Sequence, residues 1–270
     1  MKRLLATLIL TLAIGTAAWA QTASKNTAFQ SGETLRYDLY FNWKFVWVKA
    51  GTASMNTTRT TYKGKPAYRS YLITRGSASA DKFFIMRDTL VSYFSEDIVP
   101  YYYRKGATEG KSYRLNEVWY DYPGNNRCHM KMLYRKNQDE PQLKQVNAPQ
   151  QAYDMISMLM RARSFDPSGY KPGHRIKFLM ADGHNCEYQH ILYRGKKKFR
   201  VENSSTTYRC LVFSFMETEN GKEKEIVRFY ITDDANHIPV RLDLNLSFGT
   251  AKAYLTGATG LRNPQTSKVK

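Results

Sequence analysis

The sequence predicts a mainly β protein, a large curved antiparallel sheet or half-open barrel with one main helix packed on the concave side. Three observations carry that expectation. Apolar and polar residues alternate over many short segments, the period of strands with one buried and one wet face. Turn-forming residues interrupt the alternation at short intervals. One stretch, "YDMISMLMRAR" at 153–163, keeps a helical period over more than two turns instead.

The first strand, "ETLRYDLYF", puts Leu35, Tyr37, Leu39 and Phe41 on one face and Arg36, Asp38 and Tyr40 on the other. The same reading places strands at 45–55, 67–75, 89–94, 98–104, 113–121 and 127–134. Beyond the helical stretch they resume at 175–180, 187–193, 198–201, 208–216 and 225–231. "VRLDLNLSF" repeats the opening pattern with Val240, Leu242, Leu244 and Leu246, and a last strand covers 252–256. "YPGNN" (122–126), "ENG" (219–221) and "TDDANH" (232–237) are hairpin turns, Gly and Asn supplying positive φ. "SASADKFF" at 77–84 suits a second, shorter helix. No repeat or interdomain linker interrupts the chain, so a single domain is expected over 21–262, with a flexible tail at 263–270.

The main helix is expected to begin near 147–149, where Pro149 suits a first turn. It should stop near Ser164, because Pro167 disfavours helix at Asp166. At about 100° per residue, Ala152, Met155, Ile156 and Leu159 share one side. Met160 and Tyr153 flank one edge and Met158 and Ala162 the other, leaving Asp154, Ser157 and Arg161 as a narrow polar strip. The apolar arc is about twice that of an ordinary surface helix. Either the helix is wedged into a core whose gaps methionine fills, or one flank lines a cavity suited to acyl chains. On the second reading Tyr153, Met155, Met158 and Met160 are ligand-binding residues.

Residues 1–20 have the order of a cleavable export signal: Lys2 and Arg3, an apolar run from Leu4 to Ile14, then Ala18-Trp19-Ala20. No later stretch is apolar enough to span a bilayer. A periplasmic location is therefore expected. The leader holds two of the 41 basic residues and none of the 23 acidic ones, which leaves +16 on the remainder. Such a field draws polyanions. Export excludes nucleic acid as the natural target and leaves lipid headgroups, lipopolysaccharide or acidic glycans, with peripheral membrane contact. Three cysteines, Cys128, Cys186 and Cys210, permit any one of three disulfide pairs and leave one thiol over.

Catalytic and metal chemistry find little footing. In "DGHNCEYQH" the side chains of His184, Cys186, Tyr188 and His190 share one face of a strand, but residues two apart lie roughly 6.5–7 Å apart. His184 and His190 are then too far apart for one ion. There is no G-x-S-x-G elbow and no Gly-rich phosphate loop. Asp233-Asp234 falls in a turn, where carboxylates cap more often than they share a proton. No catalytic residue, metal or cofactor is assigned. The best polar candidate is "YRGKKKFR", where Arg194, Lys196, Lys197, Lys198 and Arg200 suit phosphate or carboxylate and Phe199 offers a packing surface. Its plainer reading is a solvated hairpin tip.

In order along the chain, several pieces resemble a family of exported bacterial proteins known as domain of unknown function 3108. They are "FQSGETLRYDLYFNWKFVWVKAG", with Gly32-Glu33, Tyr37 and Ala50-Gly51, and "MRDTLVSYFSEDIVPYYYRKGATEG", with Pro100 and Glu109-Gly110. "YDMISMLMRAR" follows, with Asp154 and Arg161, and then "YITDDANHIPVRLDLNLSFGTAKAYL", with Pro239 and Gly249. The resemblance implies one antiparallel β domain with a helix against its concave side, similar to the half-open barrels of periplasmic lipoprotein carriers. It assigns no catalytic residues. The expected function is non-catalytic binding or carriage of a lipid-like or anionic envelope component. The alternatives are a solid-cored module for protein or acidic-glycan binding, and an unrecognised hydrolase.

Overall fold

The computed structural model describes residues 25–43, 46–124, 127–201, 205–219, 221–246 and 249–269. The expected leader at 1–20 lies outside them, as do Asn125, Asn126 and Asn220 of the expected turns. Strands arise at the segments the alternation marked, with further strands at 142–148 and 152–153 and with 187–193 and 198–201 joined into one. The first meander comprises β1 (Glu33–Trp43), β2 (Val46–Tyr62), β3 (Lys65–Gly76), β4 (Met86–Phe94), β5 (Pro100–Glu109), β6 (Ser112–Asp121), β7 (Cys128–Lys136) and β8 (Gln142–Ala148). A four-residue helix, α1 (Ala78–Asp81), interrupts it after β3, capped by Ser77. The second meander comprises β10 (Arg175–Ala181), β11 (Cys186–Arg200), β12 (Thr207–Glu219), β13 (Lys222–Thr232), β14 (Pro239–Leu246) and β15 (Gly249–Thr259). Pairing of β1 with β15 joins the two into one sheet.

Between the meanders stand β9 (Ala152–Tyr153), parallel to β10, and the main helix α2 (Met155–Ala162). The two edges of the sheet, β8 and β9, are thus separated by only residues 149–151, and the sheet is a nearly closed barrel. The β10–β11 turn bridges the seam. A Cβ on Gly183 would lie 2.8 Å from Asn116 Cβ, so that turn sits directly on β6. The His184 ring lies 4.3 Å from Tyr134, and Lys144 Nζ donates to the His184 carbonyl at 3.1 Å. Closure hides edges that would otherwise invite pairing. No helix among the described residues is long and apolar enough to cross a membrane.

The helix starts later than the apolar pattern implied. Asn147 and Ala148 still belong to β8, and Asp154 is the N-cap. Its Oδ1 accepts from the Ile156 and Ser157 amides at 2.9 Å, while Ser157 Oγ accepts from the Asp154 amide at 3.0 Å. This reciprocal cap sets the start more strongly than Pro149 could. It also inverts the expected polarity. Asp154, Ser157 and Arg161 are buried, whereas Met155 is 45% exposed. Asp154 tolerates burial because Ser92 Oγ on β4 also donates to it at 2.9 Å; the Arg161 guanidinium lies 4.6 Å from the Tyr153 ring. Ile156 and Met160 join Leu35, Leu90, Val118 and Met132 in the larger core, and Met158 joins Phe178, Tyr193 and Phe213 in a second cluster. Met158 and Met160 therefore pack as core residues.

Arg163, the C-cap, is fully buried. Its Nη1 and Nη2 donate to Glu33 Oε1 and Oε2 at 2.6 and 2.8 Å, and Nε and Nη2 donate to the Asn236 carbonyl. The helix end is thereby tied to the start of β1 and to the β13–β14 turn. The tail expected to fray is packed instead. Asn263 exchanges bonds with Asn236, Ser267 Oγ donates to Asp234 Oδ2 at 2.7 Å, and β16 (Lys268–Val269) pairs with β12. Backbone partners on β12 and the turn made this segment ordered, a long-range choice that its polar composition did not reveal.

Because an unpaired buried charge costs more than a buried pair returns, Arg163→Ala should destabilise the fold by about 3–5 kcal/mol. Urea unfolding checks this; a loss below about 1 kcal/mol would show that the pair is dispensable.

Candidate functional site

The basic cluster is not a hairpin tip. All five cations lie within β11, which runs unbroken to Arg200 with a bulge between Tyr193 and Gly195. Gly195 at φ +103° accommodates the extra residue, Arg194, and the bulge reverses which side chains face inward. Before it, Ile191 and Tyr193 pack with Met158; after it, Phe199 faces the opposite side of the sheet. The cations do not form one patch. Arg194 donates to Ser214 Oγ and Glu225, Lys196 pairs with Asp233 at 2.9 Å, and Lys197 points away from Lys196, Lys198 and Arg200 by strand alternation.

On that opposite side the sheet curls onto itself. Phe199 on β11 and Tyr254 on β15 are four strand steps apart, about 19 Å in a flat sheet. Their rings nevertheless stack at 6.2 Å. Inside the curl the Arg241 guanidinium sits 5.1, 4.8 and 5.8 Å from the Phe199, Tyr230 and Tyr254 rings, and its Nε donates to Asp243 at 2.6 Å. The positive face of the guanidinium is thus satisfied by rings and one carboxylate. Its charge is spent on structure.

The mouth of the curl is a cavity of ≈400 Å³, lined among others by Asp38, Tyr40, Tyr208, Tyr254, Gln265 and Lys268. Tyr40 meets Tyr254 edge to face at 5.6 Å. Asp38 holds Lys49 Nζ at 2.6 Å, and the hydrogen bond keeps the Lys49 ammonium above its ordinary range. Burial raises the Tyr208 phenol. One wall is the C-terminal segment itself, held by Arg209, whose Nη2 donates to the Thr266 carbonyl. Rings that offer an apolar face and a hydroxyl, beside an exposed ammonium, suit a hydroxylated ring bearing negative charge.

None of the nine residues nominated from sequence lines this cavity. Tyr153, Met158 and Met160 are in the core, Met155 is on the surface, and the cations lie along β11. The cleft residues were missed because they come from β1, β12, β15 and the tail, which only the curl unites. The one signal available was Tyr40, a large aromatic on the polar side of an alternating strand.

A family model described as a protein of unknown function, DUF3108, matches residues 36–256. The chain belongs to the DUF3108 family. No curated protein matches it. Among solved structures, a β-barrel-like protein of domain of unknown function DUF1849 from Brucella abortus superimposes with TM-score 0.52 at 9% identity, over 86% of this chain and 98% of that one. At this identity the likeness shows the fold alone. A protein with a YmcC-like fold from Bacteroides fragilis matches with TM-score 0.35 at 7% identity, over 87% and 99% of the two chains.

A second cavity of this DUF3108 protein, ≈450 Å³, is lined by residues of β3 and β4 including Thr74, Gly76, Arg87 and Asp88. Asp88 Oδ1 is buried there without a hydrogen-bond partner. Burial pushes its carboxyl up to about 6, against the pull of Lys105. Burial likewise carries Asp154 to about 6, opposed by its bonds from Ser157 and Ser92. The three cysteines are unpaired thiols, and burial raises Cys186 to about 11 and Cys210 to about 12, which makes them poor nucleophiles. Among the described residues no three His, Cys, Asp or Glu side chains converge on a metal position.

Asp88 and Asp154 hold their protons more tightly folded, near pH 6, than unfolded, near the ordinary 3.8. Their stabilisation is complete below about pH 4 and is lost as pH rises through 6. Asp88→Asn should remove about 1–2 kcal/mol of that decline after allowance for solvent screening. Urea melts of both proteins at pH 4 and pH 7 measure it, other carboxylates cancelling in the comparison; parallel pH profiles would refute it.

Proposed function

We propose that this protein is a non-catalytic binding protein of the bacterial periplasm whose ligand is an acidic glycan or a similarly hydroxylated, anionic envelope component. One observation carries the reading. The methionine helix is consumed by the core, whereas the cleft of Tyr40, Tyr208 and Tyr254 is lined by rings, hydroxyls and the exposed Lys268. Sugar rings present C–H faces to aromatic rings, and a uronate carboxylate would meet the ammonium. The net positive charge raises the local concentration of such ligands. The leader-like residues 1–20 support export, and the absence of a nucleophile motif supports a binding role.

A uronic acid disaccharide is the probe. Saturation-transfer NMR should give contacts that Tyr40→Ala abolishes. Lys268→Gln should weaken binding several-fold and leave a neutral disaccharide unaffected. Absence of transfer to either sugar at millimolar concentration would refute the glycan reading.

A second reading, carriage of an acyl chain, draws on the smaller core cluster. Tyr153, Met158, Phe178 and Phe213 form an apolar layer covered in part by Phe165 and Tyr170, from the segment between α2 and β10. Displacing that cover would open a greasy slot beside Met158. Mass spectrometry of organic extracts should then find co-purifying lipid that Met158→Gln removes. Lipid-free preparations would eliminate this reading and leave the first intact.

A further inference from the structure

In a meander, alternate connections emerge at the same end of the sheet. The β1–β2, β3–β4, β5–β6 and β14–β15 connections share one end, and they are consecutive around the rim because β14, β15 and β1 to β6 are neighbours in order. Contacts fasten them together. The Ser77 amide donates to the Ala50 carbonyl at 2.8 Å and Gly110 to Ile85 at 2.8 Å. A Cβ on Gly249 would lie 2.9 Å from the Phe41 ring.

This rim gathers exposed apolar side chains. Of the nine large ones exposed among the described residues, six belong to or flank these connections: Val46, Val48, Phe83, Phe84, Ile85 and Leu246. Phe83 is 77% and Val46 62% exposed. Scattered single exposures are ordinary, but a cluster at one end marks an interaction surface. Its charge is one-sided. Arg75, Lys82 and Lys111 are exposed there, while the carboxylates Asp81 and Glu109 are already paired with Arg87 and Arg114. The Trp47 ring carries Lys252 Nζ at 3.8 Å, an aromatic–cation pair of the kind that suits a headgroup layer.

We infer that this rim docks the protein onto an anionic membrane surface. The apolar tips enter the boundary between headgroups and acyl chains, and the lysines meet the lipid charge. At these connections the acids Asp81 and Glu109 are paired and the lysines exposed, which fits an anionic partner better than a basic one. The tyrosine cleft opens at the opposite end, lined by the end of β15, the start of β12 and the tail, so docking leaves it facing away from the bilayer. The inference stands apart from any ligand of that cleft.

Flotation of the purified protein with vesicles of phosphatidylcholine, with and without 30% phosphatidylglycerol, tests it. Partitioning should be at least tenfold stronger on the anionic vesicles. The double variant Val46→Ser with Phe83→Ser should lower it at least tenfold with an unchanged melting temperature, and Lys82→Glu with Lys111→Glu should lower it on anionic vesicles. Four results would overturn the proposal: no partitioning into anionic vesicles, full partitioning by the serine variant, loss only on Lys196→Glu with Lys198→Glu, or a dimer in sedimentation equilibrium that the serine variant dissociates. Disaccharide binding measured on the same variants reports separately on the cleft.

Discussion

The buried pair between Arg163 and Glu33 is the constraint on which the arrangement of this barrel depends. A short helix cannot hold its place by propensity, because eight residues supply too few internal hydrogen bonds to offset nucleation. It is held at both ends by buried polar side chains. Asp154 fixes its start to Ser92 on β4, and Arg163 fixes its end to the first residue of β1 and to the turn before β14. Bidentate geometry and two further bonds to a carbonyl satisfy a guanidinium that water no longer reaches. With both ends pinned, the two apolar flanks of the helix fill the two halves of the interior at once.

The sheet meets a second demand. A surface of this length, wrapped round one helix, leaves its other side open to water. From β11 to β15 that side is also apolar, and the chain covers it by bending until Phe199 lies over Tyr254. The bulge at Gly195 makes this possible, because it lets one strand present Tyr193 to the helix and Phe199 to the curl. The same bend creates the tyrosine cleft. Folding and site formation therefore share one cause.

The two ends of the barrel differ in character. One is closed by buried polar contacts among Glu33, Asn236, Asn263 and Ser267, and holds the cleft. The other carries exposed apolar tips between cations. On the proposed docking, that polarity leaves the cleft turned away from the membrane.

Much of the architecture was legible in residue order. Alternation in "ETLRYDLYF" and "VRLDLNLSF" determines strands whatever their neighbours, since a one-residue slip would turn every apolar side chain outward. The family, too, was readable from ordered motifs. The limits of the helix were not, because Asp154 reads as a surface polar residue until Ser92, from a strand over sixty residues away, comes to meet it. The continuity of β11 was hidden by its lysines, which resemble a solvated turn in composition yet pair along β12. The cleft left almost no trace, since its residues share no local pattern and come together only when the sheet curls. The chain's own periodicity determined what each segment becomes; long-range pairing alone decided which segments meet, because a side chain's solvent exposure depends on strands far away in sequence.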